Sequence, residues 1–217
     1  MLPFGREQFL DAFARYNAAI WPLQIAAAVL GVAVVVALWR WPVSGWRLVC
    51  AALALQWLWT GVVYHGLFFA RINSAAFAFA GLFALQGLLF ARWAWTGRRE
   101  PATASGLAAC FGWVLVAYAG LLYPLVGAIA GHRYPAVPMF GVTPCPVTLF
   151  TFGALLVGAR TVPRHLLLIP GLWAVVGGSA AFLLGIPQDW PLLLGGVAAT
   201  AVLWRGAAPV RGAISAP

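Results

Sequence analysis

Seven apolar stretches, at about 18–38, 46–69, 74–95, 107–129, 146–159, 166–185 and 190–204, take up most of the chain. A helix needs about 20 predominantly apolar residues to cross a bilayer, with a lower limit near 17. The first four stretches meet this easily. The fifth and seventh are short, and either borrow from their flanks or span a thin region. Charged residues make up 8% of the chain, against about 25% in a soluble domain. Such a chain cannot cover a surface that faces water. It reads as an all-α integral membrane protein, a bundle of about seven transmembrane helices.

Three regions follow from this pattern. Residues 1–17 form an interfacial amphipathic helix: Phe9, Leu10, Phe13 and Tyr16 recur at helical spacing, with Arg6, Glu7, Asp11 and Arg15 elsewhere on the wheel. Residues 18–205 form a single helix bundle, and residues 206–217 a disordered tail. Tryptophans 21, 39, 41, 46, 93, 95, 190 and 204 stand at segment ends, as an aromatic belt requires. Residues 1–18 lack the short apolar core and cleavage site of a signal peptide.

Arginine placement sets the orientation. Arg40, Arg47, Arg92, Arg98, Arg99, Arg160, Arg164, Arg205 and Arg211 fall on one side of the alternating segments, and Arg6, Arg15, Arg71 and Arg133 on the other. The positive-inside rule then puts the N-terminus outside and the C-terminus in the cytoplasm, in a cell (inner) membrane. The net charge of +9 therefore belongs to headgroups and topology, and not to nucleic acid. All thirteen basic residues are arginine, which excludes any lysine Schiff base.

The one long break in the apolar pattern is Gly131–Pro146, GHRYPAVPMFGVTPCP, with prolines at 135, 138, 144 and 146. Each proline removes an N–H and clashes with a preceding helical turn, so this stretch reads as an outer loop. Cys145 lies at the start of the following helix, where a thiol makes a better ligand or nucleophile. With His132 upstream and His65 inside the second segment, it gives one sulfur and two imidazoles on one side of the membrane. That set suits a soft or borderline transition metal, though its spacing matches no standard ligand pattern. The alternatives are an inert plug and a substrate gate.

A second group suggests a polar path. Gln56 and Gln86 lie fifteen residues before and after Arg71, and so at one depth of an antiparallel hairpin. They either bond each other or line a solute route. Arg71, Asn73, Arg133, Tyr134 and Asp189 would form its outer mouth. Asn73 can equally cap the third segment, and Asp189 can pair with Arg133 or Arg71 or face water. His165 lies on the opposite side, beyond reach of the other histidines.

The runs Phe4-Gly5-Arg6-Glu7-Gln8-Phe9-Leu10, Tyr16-Asn17, Arg71-Ile72-Asn73 and Gly141-Val142-Thr143-Pro144-Cys145-Pro146 resemble those of a family of small bacterial multi-pass membrane proteins, known as a domain of unknown function. The likeness covers most of the chain and implies no activity, substrate or cofactor.

Three functional classes stay open. The polar path favours a small permease or channel for an ion or small solute. Cys145, His65 and His132 favour a metal- or thiol-dependent redox or metal-handling protein. The outer loop also suits a non-catalytic assembly subunit with a protein partner, and an oligomer stays open; the small residues of the later helices concern close helix packing. A hydrolase is disfavoured, since no HExxH or GxSxG occurs.

Overall fold

The computed structural model describes residues 3–96, 106–159 and 161–206. Arg98, Arg99, Arg160, Arg211 and the tail beyond Gly206 lie outside them. Among the described residues every regular element is helical: α1 Arg6–Ile20, α2 Leu23–Arg40, α3 Trp46–Trp59, α4 Ala76–Thr96, α5 Leu107–Ala117, α6 Tyr123–Ile129, α7 Pro144–Gly158, α8 His165–Leu184 and α9 Trp190–Gly206. A π-helical segment, Thr60–Phe68, prolongs α3, and another, Tyr118–Leu122, joins α5 to α6.

Five rods are long and apolar enough to cross a membrane: Leu23–Arg40, Trp46–Arg71, Ala76–Thr96, Leu107–Ile129 and His165–Leu184. The other two expected spans are shorter, α7 with 15 residues and α9 with 17. Val29, Val32, Leu88, Leu121 and Leu168 are among many large apolar side chains left exposed on the rods. A surface of this kind suits lipid and would not stay dispersed in water.

α7 is the axle of the bundle. It is apolar on every side, and every residue from Pro144 to Val157 is buried. A helix with no polar face needs cover all round, and α2, α3, α5, α8 and α9 supply it. Two glycines allow the closest of these crossings. A Cβ on Gly153 would stand 2.7 Å from the Gly112 carbonyl oxygen, and one on Gly112 would stand 2.9 Å from the Gly153 oxygen. Backbones in membranes associate most closely where side chains are smallest.

The loop before α7 ends sooner than its prolines suggest. Pro144, Cys145 and Pro146 belong to the first turn of α7. First-turn N–H groups have no intrahelical partner, so proline costs nothing there.

α1 differs from the expected interfacial helix. It runs on to Ile20, and the apolar face assigned to the membrane interface is covered by protein, with Phe13, Tyr16 and Ile20 buried. Phe13 stacks on Tyr64 of the α3 extension, with ring centroids 5.4 Å apart. The polar side chains of α1 supply donors that the proline loop lacks. Asn17 Nδ2 donates to the carbonyls of Pro135 and Val137, each at 2.7 Å, and the Tyr16 hydroxyl donates to Val142 at 2.6 Å. Gln24 Nε2 in turn donates to the Asn17 carbonyl.

The molecule thus has two distinct ends. At one, Arg40, Arg47, Arg92, Arg164 and Arg205 close the rods, with Trp46 against Trp93 and Arg164 over Trp204. At the other lie α1, the α3 extension, the proline loop and the turn Pro187–Asp189.

Candidate functional site

The α1 end holds a cavity of about 340 Å³. Phe4, Phe9 and Phe13 roof it, Tyr64, His65 and Phe69 come from the α3 extension, and Trp173 and Ala180 from α8. Pro144, Cys145 and Asp189 form part of its wall, where α7 begins and the turn before α9 ends.

The π segments shape this site. Residues five apart lie about 140° apart round an α-helix, whereas i→i+5 bonding returns them to one face. In the α3 extension, Tyr64 and Phe69 accordingly stack face to face, 5.6 Å apart and 12° from parallel. The Thr60 hydroxyl donates back to the Gln56 carbonyl at 2.7 Å, a bond that loosens the turn where the π segment starts. In the α5–α6 rod, Pro124 has no N–H for the carbonyl four residues earlier, and the ladder widens just before it. Tyr118 and Tyr123 thereby point the same way. The Tyr118 hydroxyl donates to the Gln188 carbonyl at 2.8 Å, and the Tyr123 hydroxyl donates to Asp189 Oδ1.

Asp189 does not pair with Arg133 or Arg71 and does not face water. It is 2% exposed, and its partners are the Tyr123 hydroxyl and the Cys145 thiol. Burial pushes its carboxyl up to about 7 from an ordinary 3.8, with the Tyr123 and Cys145 hydrogen bonds acting in the opposite sense. Removing a carboxylate from water disfavours its charged form, and two hydrogen bonds offset part of that.

His65 is fully buried, and neither ring nitrogen has a hydrogen-bond partner. Its ring sits in an aromatic cage, with centroids at 4.7 Å from Phe83 and 5.1 Å from Trp173 and from Tyr64. His132 is elsewhere. Arg6 donates to its Nε2 at 2.8 Å, and its Nδ1 meets Gln188 Oε1 at 3.1 Å. Both nitrogens are therefore engaged. His65, His132 and Cys145 do not form one ligand set, and among the described residues no three His, Cys, Asp or Glu side chains are grouped to hold a metal.

The proposed polar path also separates. Gly87 packs against Ala54 and Leu58, so Gln56 and Gln86 do share a level, but they point apart. Gln86 Nε2 donates to the Leu166 carbonyl at 3.1 Å, while the Gln56 amide, close to Gly141, has no partner. Neither lines the cavity. Asn73 does line it, and its side chain also accepts from the Ala75 N–H at 3.2 Å, the capping role its sequence position suggests. Arg71 lies over the Phe68 ring, and Arg133 and Tyr134 are exposed.

Sequence reasoning missed Tyr118, Tyr123, Trp173 and Gln188. The tyrosines and Trp173 look like ordinary residues of apolar runs and Gln188 like an ordinary turn residue, and the two tyrosines converge because Pro124 follows them. The proline after a Tyr-x-x-x-x-Tyr pair was the available signal.

The fold defines an all-helical protein with five helices suited to a membrane, and a cavity at one end that holds a buried acid, a thiol and an imidazole. The chain belongs to the family of unknown function DUF6064, whose model matches residues 6–210. The match runs from the first residue of α1 past the end of α9, as the resemblance implied. No curated protein and no solved structure matches the chain.

Proposed function

We propose that this is a multi-pass inner-membrane protein that binds a small, mainly apolar solute at the α1 end, as the substrate site of a small permease. The observation that carries this is the cavity itself, lined by aromatic and aliphatic side chains with a few polar groups. Ligand sites have this makeup and a volume of about 300–1,000 Å³. The irregular loop before α7 supports the reading, since Pro138 within it borders the cavity, and irregular backbone in membrane proteins is tolerated where it lines one.

A continuous channel has less support. α7 is packed on all sides beyond its first turn, and the two mid-depth glutamines stand apart from the cavity. In this reading the solute enters from the α1 end and goes further only when the helices around α7 rearrange. The arginine count supports reading that end as the outer face.

Ala180 lines the cavity and is half-buried, so Ala180→Trp should fill the space without disturbing the axle. Binding of naphthalene to the full chain in nanodiscs, against empty nanodiscs, tests the proposal. Saturable binding that Ala180→Trp removes, at unchanged Tm, is the expected result. No saturable binding to the wild type would overturn it.

A further inference from the structure

The geometry points to a hydrophobic organic cation as the ligand, an ammonium with an apolar body whose charge meets Asp189 and the faces of the surrounding rings. This rests on the solute-binding reading above and names the class of solute.

Asp189 is a buried acid whose described partners bring no positive charge. The titratable groups that face it are Tyr118 and Tyr123 from the α5–α6 rod, Cys145 from α7 and Tyr64 from the α3 extension. His65 lines the same cavity inside its aromatic cage. Arg6 reaches this end of the molecule, but its guanidinium is bonded to His132, with Gln188 beyond.

A carboxylate placed this way must be neutralised by a proton or by a ligand, because an unpaired buried charge is costly. An anionic ligand would meet like charge. A neutral apolar ligand would leave the carboxylate with its two hydrogen bonds but no counter-charge.

The walls favour a cation in their own right. Ring faces carry negative potential, and aromatic cages hold quaternary ammonium groups. Here Phe9, Phe13, Phe69, Phe79 and Trp173 line one space with Asp189, and Tyr64 is sandwiched between Phe13 and Phe69. The proton and the ligand compete for Asp189, so cation affinity rises as the pH is raised and the carboxyl ionises.

Phenyltrimethylammonium and its uncharged isostere tert-butylbenzene test this on the full chain in nanodiscs. The quaternary cation does not titrate, so any pH dependence belongs to the protein. The cation should bind about tenfold tighter than the isostere near pH 8.5, and most of that preference should vanish near pH 5.5. Asp189→Asn should lose most of the preference and all of its pH dependence, keeping only what the rings supply. The wild-type pH series decides the matter even if that variant fails to fold. Equal affinity for the two at every pH would overturn the cation assignment and leave the solute-binding reading intact. Binding of neither would overturn both.

Discussion

The Tyr123 hydroxyl donates to the carboxyl group of Asp189 inside the protein, and neither residue is near the other in sequence. The two meet because a π segment turns Tyr123 toward the short turn Pro187–Asp189. The bond holds an acid at the edge of an apolar cavity, out of water and away from arginine.

The first prediction concerns pH. Burial raises the Asp189 carboxyl from 3.8 to about 7 in the folded protein. Between those values the folded state holds a proton that the unfolded state has lost, so stability falls as pH rises. The contribution is fully present below the lower value, is gone above the upper one, and is on the order of a few kcal/mol. Tm of the detergent-purified protein should decline from about pH 4 to pH 7, and Asp189→Asn should flatten that slope. An unchanged slope in the variant would place the titration elsewhere.

The second concerns the hold of α1 on the loop. Asn17→Ala leaves the buried Val137 carbonyl without its side-chain donor, while the Pro135 carbonyl keeps the Val137 N–H. A buried carbonyl left unmade costs about 1–3 kcal/mol. The variant should have a lower Tm, and hydrogen exchange should quicken in residues 132–143 before it does in α7. Asn17→Asp should be at least as damaging, because a carboxylate has no N–H to offer. Equal protection of the loop in wild type and variant would count against this role.

The apolar runs alone made the helical architecture legible, and segments 107–129 and 166–185 lie within one residue of the rods observed. Composition says that a helix is apolar but not which side of it meets lipid. α7 therefore read as a short span, although protein covers it on every side. The site was half legible. His65, Cys145, Asn73 and Asp189 stand out as rare polar residues, and all four do line one cavity. His132, Gln56 and Gln86 stand out equally and lie elsewhere. Their direction depends on helix rotation and on π turns, which residue counts along an ideal helix cannot supply.

The third prediction tests the α5–α7 crossing. A Cβ on Gly153 would lie 2.7 Å from both the Gly112 oxygen and Val116 Cγ2. Backbone cannot yield as a flexible side chain can, and overpacking typically costs about 1–3 kcal/mol. Gly153→Ala should therefore lower Tm. Gly81 on α4 is the control, since a Cβ there meets nothing within 4 Å. Gly81→Ala should be neutral or stabilising by up to about 1 kcal/mol from helix propensity. Similar effects at the two sites would mean that the crossing is looser than described.

The fourth separates stability from binding at His65. Its two ring nitrogens are buried without partners among aromatic rings. A buried donor or acceptor left unmade costs about 1–3 kcal/mol. His65→Phe keeps a ring of similar shape against Phe83 and Trp173 and removes that penalty, so Tm should rise. If the imidazole also serves the cavity's ligand, the same variant should bind phenyltrimethylammonium differently from wild type while being the more stable protein. Measuring Tm and affinity together on one preparation distinguishes the two roles. A fall in Tm would mean that the histidine nitrogens have a partner in the folded protein, and the cage would then be a hydrogen-bonded site and not a dry one.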